Sequence, residues 1–395
     1  FRAMDPNLEE AARISGAGAW TTFRRVTLPT LLPALFGAFL YSFISSMESF
    51  EAPLLVGLPG NIYVYSTMIY FSTRLMPSHG LAAAFAMSYC LLAVFFVIIY
   101  QRVALRQTER FATITGKGYR PRVTRLGRWR WAAFGLFGAY FFLAVVLPLF
   151  ILVWAALSPS YTQPSWDGLS KLSFVHFQRL WDEPGILPAV WNTIVVTITT
   201  ATACVLLSFF VSWIVVRSGI RGRMILDGLT FLAHSIPGIV IALAFIFVYL
   251  QEPFRSLHLY GTVWIISLAL ITQYIAFTTR TTNAAITQIH KELEEAARIS
   301  GVGRITTLLR ITLPLVFPAF AAAWIWVAAH AVRAFSVPLM LTSEGNWTLS
   351  VILWNIWDEQ NSLTMAAALG VIFILSLALL TFFGRRVIVR AFSVE

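Results

Sequence analysis

Glu10-Ala11-Ala12, three further residues and Gly16 make a small surface that another protein could grip. The chain repeats it as Glu295-Ala296-Ala297, three further residues and Gly301. The copies run on to Pro33 and Pro318, and 15 of their 24 positions are identical at a constant offset of 285. The chemistry on offer is recognition rather than bond making. A carboxylate in the first turn of a short helix suits the helix dipole. The paired alanines leave room for close approach, and the glycine supplies a stop or turn that a side chain would hinder. Ile305, Leu308, Leu309 and Thr312 then place a mostly apolar stripe on a second short helix. Leu313-Pro314 opens the next apolar run, where proline is tolerated in a first turn. The spacing predicts a cytoplasmic helix–turn–helix joined rigidly to a membrane span, able to turn a push from a soluble partner into motion of that span.

The repeat continues past this segment. Ser49-Phe50-Glu51-Ala52-Pro53-Leu54 aligns with Ala334-Phe335-Ser336-Val337-Pro338-Leu339, and Glu48 aligns with Arg333. Intramembrane charges are costly and point to function by default. Glu48 and Arg333 are therefore expected to pair across a pathway between the repeats, in its outer half, as against a purely structural pair or a snorkelling arginine. Glu51, His330 and His234 are weaker pathway candidates, because a lone histidine on an apolar helix is more often a hydrogen-bonded packing residue. The six histidines are scattered, which argues against a catalytic or metal cluster. Cys90 and Cys204 sit in separate apolar runs and make no metal motif or disulfide framework. Gly116-Lys117-Gly118 lacks the remainder of a phosphate-binding loop.

These residues need a membrane scaffold. The chain is 58% hydrophobic and 12% charged, with a mean hydropathy of +0.74, beyond what a soluble 395-residue protein can bury. Eight apolar runs reach the roughly 20 residues needed to cross a bilayer: 31–57, 80–101, 131–157, 188–216, 226–250, 260–280, 315–342 and 363–384. The net charge of +11 comes from arginines clustered in short segments between those runs, the pattern of cytoplasmic loops rather than of a nucleic-acid surface. Nine basic residues fall between Gln101 and Arg130, and both repeated segments and the tail after Gly384 are basic too. The positive-inside rule puts all of these in the cytoplasm. Residues 101–130 read as a basic linker resting on anionic headgroups, and 158–187 as an extracytoplasmic loop. In 346–361, Trp347, Val351, Trp354 and Trp357 recur at helical spacing, which predicts a short helix lying at the membrane interface.

With that topology, the pattern of EAA, three residues, Gly, nine residues, Ile or Val, one residue and Leu-Pro resembles the signature of binding-protein-dependent ABC importer permeases. It fits Glu10-Ala11-Ala12, Gly16, Val26 and Leu28-Pro29, and again Glu295-Ala296-Ala297, Gly301, Ile311 and Leu313-Pro314. Two motifs in one chain are similar to the fused ferric-iron permeases, whose relatives include thiamine and phosphonate importers.

The resemblance implies an all-α integral membrane protein of two type I permease halves. Residues 1–105 would be the end of a first half, 106–130 the linker and 131–395 a complete second half with its motif loop at 285–314. Residue 1 aligns with residue 286, so a matching first half needs roughly 155 more residues upstream, by the logic that repeats are whole units. The chain is thus expected to be truncated in its first half. The motif residues would dock on a dimer of separate ATP-binding subunits, which use ATP and magnesium, while this chain binds no cofactor or metal and is no enzyme. A periplasmic binding protein would deliver the cargo across a bacterial inner membrane, ferric iron first, with thiamine, a phosphonate or a polyamine behind it. An ion-coupled secondary transporter is the competing class. It would also show repeats and midplane charges, but often inverted and without matched cytoplasmic loops.

Overall fold

A computed structural model describes residues 6–111, 127–234 and 236–392. Residues 112–126, which make up much of the expected linker, lie outside it. Every regular element among the described residues is a helix. Most of the long helices carry an apolar stretch of membrane length, with polar and charged residues gathered toward one end in His79–Phe111, Val263–Gln288 and Leu363–Phe392.

Among the described residues six helices are long and apolar enough to cross a membrane: His79–Ile99, Trp129–Leu157, Ile186–Arg217, Val263–Gln288, Leu308–Val332 and Leu363–Phe382. A seventh candidate is the pair Pro53–Gly60 and Tyr65–Leu75, bent by 83° at its break. The helix Leu28–Met47 adds 20 residues without a charged side chain. The expectation of eight plain spans is corrected in three places. The run 31–57 stops at Met47 and re-forms after Ser49-Phe50. The run 226–250 is split into Arg223–His234 and Gly238–Tyr249 around Pro237, whose ring removes a backbone donor. The run 315–342 ends at Val332 and restarts as Ser336–Leu341.

The chain packs as two units, residues 1–49 with 87–144 and residues 50–86 with 145–395. The first unit holds the first motif copy, Leu28–Met47 and most of His79–Phe111. Tyr89 donates to the Met47 carbonyl there, satisfying the end of the preceding helix, and Phe43 packs edge-on against Phe96 at 4.9 Å.

The second unit is organised around Ile186–Arg217 and Val263–Gln288. Small hydroxyl residues let the two backbones approach, as membrane helices do when lipid removes the hydrophobic drive between them. Thr199 and Ser267 share a hydrogen bond of 3.0 Å, Ser208 bonds Thr278, and Ser212 donates to the Thr279 carbonyl at 3.2 Å. This seam brings Arg217, at the end of one helix, beside the end of the other. Leu349–Asp358 is a helix, as its tryptophan spacing predicts, but it does not lie on a surface. Leu349, Ile352 and Ile356 are buried in one cluster with Ala155, Leu180, Ala189 and the start of Leu363–Phe392, and Val351 and Trp354 are buried as well.

Candidate functional site

Both motif copies fold the same way, residue for residue. The helix Pro6–Ile14 corresponds to Lys291–Ile299, Ala19–Thr22 to Arg304–Thr307, and Leu28–Met47 to Leu313–Val332, all at the offset of 285. Gly16 and Gly301 end the first helices with φ of +83° and +80°. In that left-handed region a Cβ costs roughly 1–2 kcal/mol. A Cβ would meet no atom within 4 Å at either glycine. The requirement for glycine is therefore conformational, and the space beside it is open. Ser15 and Ser300 close the turns by bonding the carbonyls of Ala11 and Ala296 at 2.8 and 2.9 Å.

Each second helix then passes into a π-helical turn, Phe23–Thr27 and Leu308–Thr312, before the membrane helix begins. In both, the amide after the turn bonds the carbonyl five residues back, Leu28 to Phe23 and Leu313 to Leu308. Such turns are uncommon and favour functional sites.

Of the residues expected to dock a partner, Glu10, Ala11, Gly16, Glu295, Ala296 and Gly301 are exposed, whereas Ala12 is half-buried and Ala297 is buried. The residue before each EAA turns the other way. Glu9 accepts a hydrogen bond from Thr27 at 2.7 Å, and Glu294 accepts one from Thr312 at 3.3 Å. Each carboxylate sits three positions before the inward alanine, so Glu9 with Ala12 and Glu294 with Ala297 share one face. This hydrogen bond folds the first motif helix back onto the base of its membrane helix. Sequence reasoning missed it, although both copies carry Glu and Thr at the same separation of 18.

The second copy has one more tie. Arg217 lies 3.2 Å from Glu294 through Nε, and the two side chains are 5% and 11% exposed. Its Nη2 also donates to the carbonyls of Ile286 and Ile289, at 3.0 and 2.6 Å. Those are orphan acceptors at the end of Val263–Gln288. One guanidinium thereby joins the ends of Ile186–Arg217 and Val263–Gln288 to the motif helix. Beside it opens a cavity of about 410 Å³, lined by Trp213, Arg217, Ser218, Glu294, Thr307 and Thr312 among others. A second bridge, Arg280 to Asp227 at 3.4 Å, ties Val263–Gln288 to Arg223–His234.

The pathway candidates are placed within their own units. Glu48 ends the helix Leu28–Met47 in the first, and Arg333 ends Leu313–Val332 in the second, so the pair expected between them rests on sequence register. Glu51 is exposed. The side chain of His234 lies outside the described residues. His330 is stacked on Trp326 at 3.8 Å with Nδ1 on the Trp326 carbonyl at 2.8 Å, the arrangement of a hydrogen-bonded packing residue. Among the described residues no group of three or more His, Cys, Asp or Glu is arranged to hold a metal ion.

The family model described as "Binding-protein-dependent transport system inner membrane component" matches residues 1–109 and 205–394, stretches that each contain one motif copy. The "Ferric transport system permease protein FbpB" of Actinobacillus pleuropneumoniae is 26% identical, over 97% of this chain and 55% of the relative. The "Putative ferric transport system permease protein FbpB 1" of Haemophilus influenzae is 27% identical, over 87% of this chain and 53% of the relative. The chain thus spans about half the length of these relatives. A solved structure of a bacterial alginate ABC transporter superposes with a TM-score of 0.54 at 18% identity, covering 67% of this chain and 96% of that one. That likeness concerns the fold.

Proposed function

Because the chain belongs to the family of binding-protein-dependent transport system inner membrane components, we propose that it is the membrane-spanning part of an ATP-driven importer. The observation that carries this reading is the pair of motif copies with matched helices, glycine turns and Glu–Thr ties. A fold that builds one surface twice suits a partner that is itself a dimer, since twofold assemblies present the same patch to each subunit. The partner is a pair of ATP-binding subunits, which bind and hydrolyse ATP with magnesium outside this chain. Glu10, Ala11, Ala12 and Gly16, with Glu295, Ala296, Ala297 and Gly301, form the two docking surfaces. Their neighbours Glu9 and Glu294 hold those surfaces to the membrane helices.

The protein resides in a bacterial inner membrane, with both motif copies and the C-terminus on the cytoplasmic side by the distribution of basic residues. Residues 1–105 and 131–395 are parts of two permease halves joined by the basic linker 106–130. A periplasmic binding protein presents the cargo. The names of the two ferric permease relatives favour ferric iron, ahead of thiamine, phosphonate or polyamine. Glu48, Glu51, Arg333 and His330 are the polar residues of the pathway.

Replacing Gly16 and Gly301 with tryptophan in the full-length permease tests the docking assignment. The variant is expected to insert normally and to lose co-purification of the ATP-binding subunit. Recovery of an unaltered amount of that subunit would overturn it. For the pathway, reversing Glu48 or Arg333 alone should abolish uptake, and exchanging the two charges should restore it. A dead exchange variant would reject the pair.

A further inference from the structure

The cavity beside Arg217 is walled by two opposite charges whose hydrogen-bonding capacity the fold leaves incomplete. Arg217 commits Nη2 to the carbonyls of Ile286 and Ile289 and turns Nε to Glu294. Its Nη1 has no partner among the described residues. Glu294 uses Oε1 for both Arg217 and the Thr312 hydroxyl, and its Oε2 is likewise without a partner among the described residues. The two side chains are 5% and 11% exposed, and both line the cavity. Neither Nη1 nor Oε2 belongs to the fully buried unpartnered atoms, so each can be reached from the cavity. A withdrawn charge with unmet capacity calls for a partner. Here a cationic donor and an anionic acceptor call for one together.

The helix that supplies Arg217 shows what kind of molecule brings both. Leu187, Trp191, Ile194, Ile198, Leu206 and Phe210 are exposed on Ile186–Arg217. Their spacing of three, four or eight residues places them on one face. Trp213 and Arg217 continue that face at the same spacing and enter the cavity wall. An apolar stripe of membrane length therefore ends in an indole and a guanidinium. Tryptophan favours the headgroup level, and pockets with a basic residue between membrane helices at the cytoplasmic side suit lipid headgroups. Ile220 and Leu308 add apolar wall. The volume of about 410 Å³ lies within the roughly 300–1,000 Å³ of small-molecule sites.

We propose that this cavity binds the headgroup of a phosphatidylethanolamine, with the phosphate on Arg217 Nη1 and the ammonium on Glu294 Oε2. The acyl chains then follow the helix face from Trp213 toward Leu206. An acidic lipid without an amine answers only the guanidinium, and a choline headgroup has no N–H for the carboxylate. Glu294 directly precedes Glu295, so the bound headgroup holds the second motif helix from behind its docking face. The proposal rests on the membrane placement given above, with this end of Ile186–Arg217 at the cytoplasmic leaflet.

The test is native mass spectrometry of the full-length permease in detergent, with phosphatidylethanolamine, phosphatidylcholine or phosphatidylglycerol of identical chains added. One phosphatidylethanolamine should bind about tenfold more tightly than either other lipid, the scale of one charge-assisted hydrogen bond. The variant Arg217→Met/Glu294→Leu, an apolar pair that tolerates burial, should lose that preference. Gly219→Trp covers the case in which the double variant misfolds. Gly219 lines the cavity and a Cβ there meets no atom within 4 Å, so the ring should block the site with both charges intact and weaken binding about tenfold.

Equal binding of the three lipids, a preference for phosphatidylglycerol, or a preference unchanged in Gly219→Trp would overturn the proposal. Glycerophosphoethanolamine, the headgroup without chains, separates a lipid from a soluble ligand. Displacement of the lipid by an equal concentration of it would reject the membrane source, and the lipid's persistence would support it. The measurement needs no ATP-binding subunit, so its failure is separate from failure of the docking assignment.

Discussion

The two motif copies share a backbone and differ in what holds them. In the first, Glu9 is half-buried and bound by the Thr27 hydroxyl at 2.7 Å. In the second, the Glu294 hydroxyl bond from Thr312 is longer, at 3.3 Å, and Arg217 supplies a buried ion pair instead. Closely similar sequence therefore gives the same fold, and in the second copy a residue from outside the motif adds to what fastens it. Arg217 lies in the helix Ile186–Arg217 of the second half, outside the motif, and at the offset of 285 its counterpart would fall before residue 1. The copies expose the same residues, and the second is tied to two long membrane helices through the Arg217 side chain.

The largest difference should follow from removing that anchor. Glu294→Ala leaves the Arg217 charge buried without a partner, a defect that costs about 3–5 kcal/mol, whereas Glu9→Ala should cost about 1 kcal/mol, the scale of a single hydrogen bond. The midpoint of heat-induced aggregation in detergent separates them, and equal losses would abolish the asymmetry. A double-mutant cycle with Arg217→Met and Glu294→Leu sharpens the point. The pair should show a coupling of about 1–3 kcal/mol, and the double variant should recover much of the loss, since an apolar pair tolerates burial.

The next effect down is shared by both copies. Gly16→Ala and Gly301→Ala should each cost about 1–2 kcal/mol through the left-handed backbone alone, with no clash to add because the space is open. Unequal costs would mean that the surroundings shape the turn as well. The smallest effect reverses the order of the copies. Thr27→Val should destabilise by about 1 kcal/mol, and Thr312→Val by less, because Glu294 retains Arg217. A larger loss at Thr312 would show that the hydroxyl, not the guanidinium, fastens the second copy.

The repeat was legible in the sequence because a ungapped offset needs no three-dimensional information. It carried the glycine turns and both helix boundaries. Long apolar runs located most spans, but composition does not report a break within an apolar run. Thus Glu48–Phe50 and Arg333–Phe335 read as membrane helix although the backbone leaves the helix there. The tryptophan spacing in 347–357 predicts the helix Leu349–Asp358 but not the neighbours that bury Ile352 and Ile356 inside the second unit. The inward role of Glu294 was hidden for a different reason. Its partner Arg217 is far away in sequence, and a charged residue beside Glu295 reads as part of the same solvated face. The equal spacing of Glu9 from Thr27 and Glu294 from Thr312 was the one local sign of it.

The π-helical turns at Phe23–Thr27 and Leu308–Thr312 set a phase. An α-helix advances about 100° per residue, so the extra residue in each turn changes by that angle which side of the membrane helix the motif faces. Deleting one residue from 308–312 and letting the turn relax to ordinary helix would carry Glu294 around the axis and away from Arg217, with every side chain still present. The alignment of motif and span is thus written in residue count as much as in residue type, and both copies keep the same count.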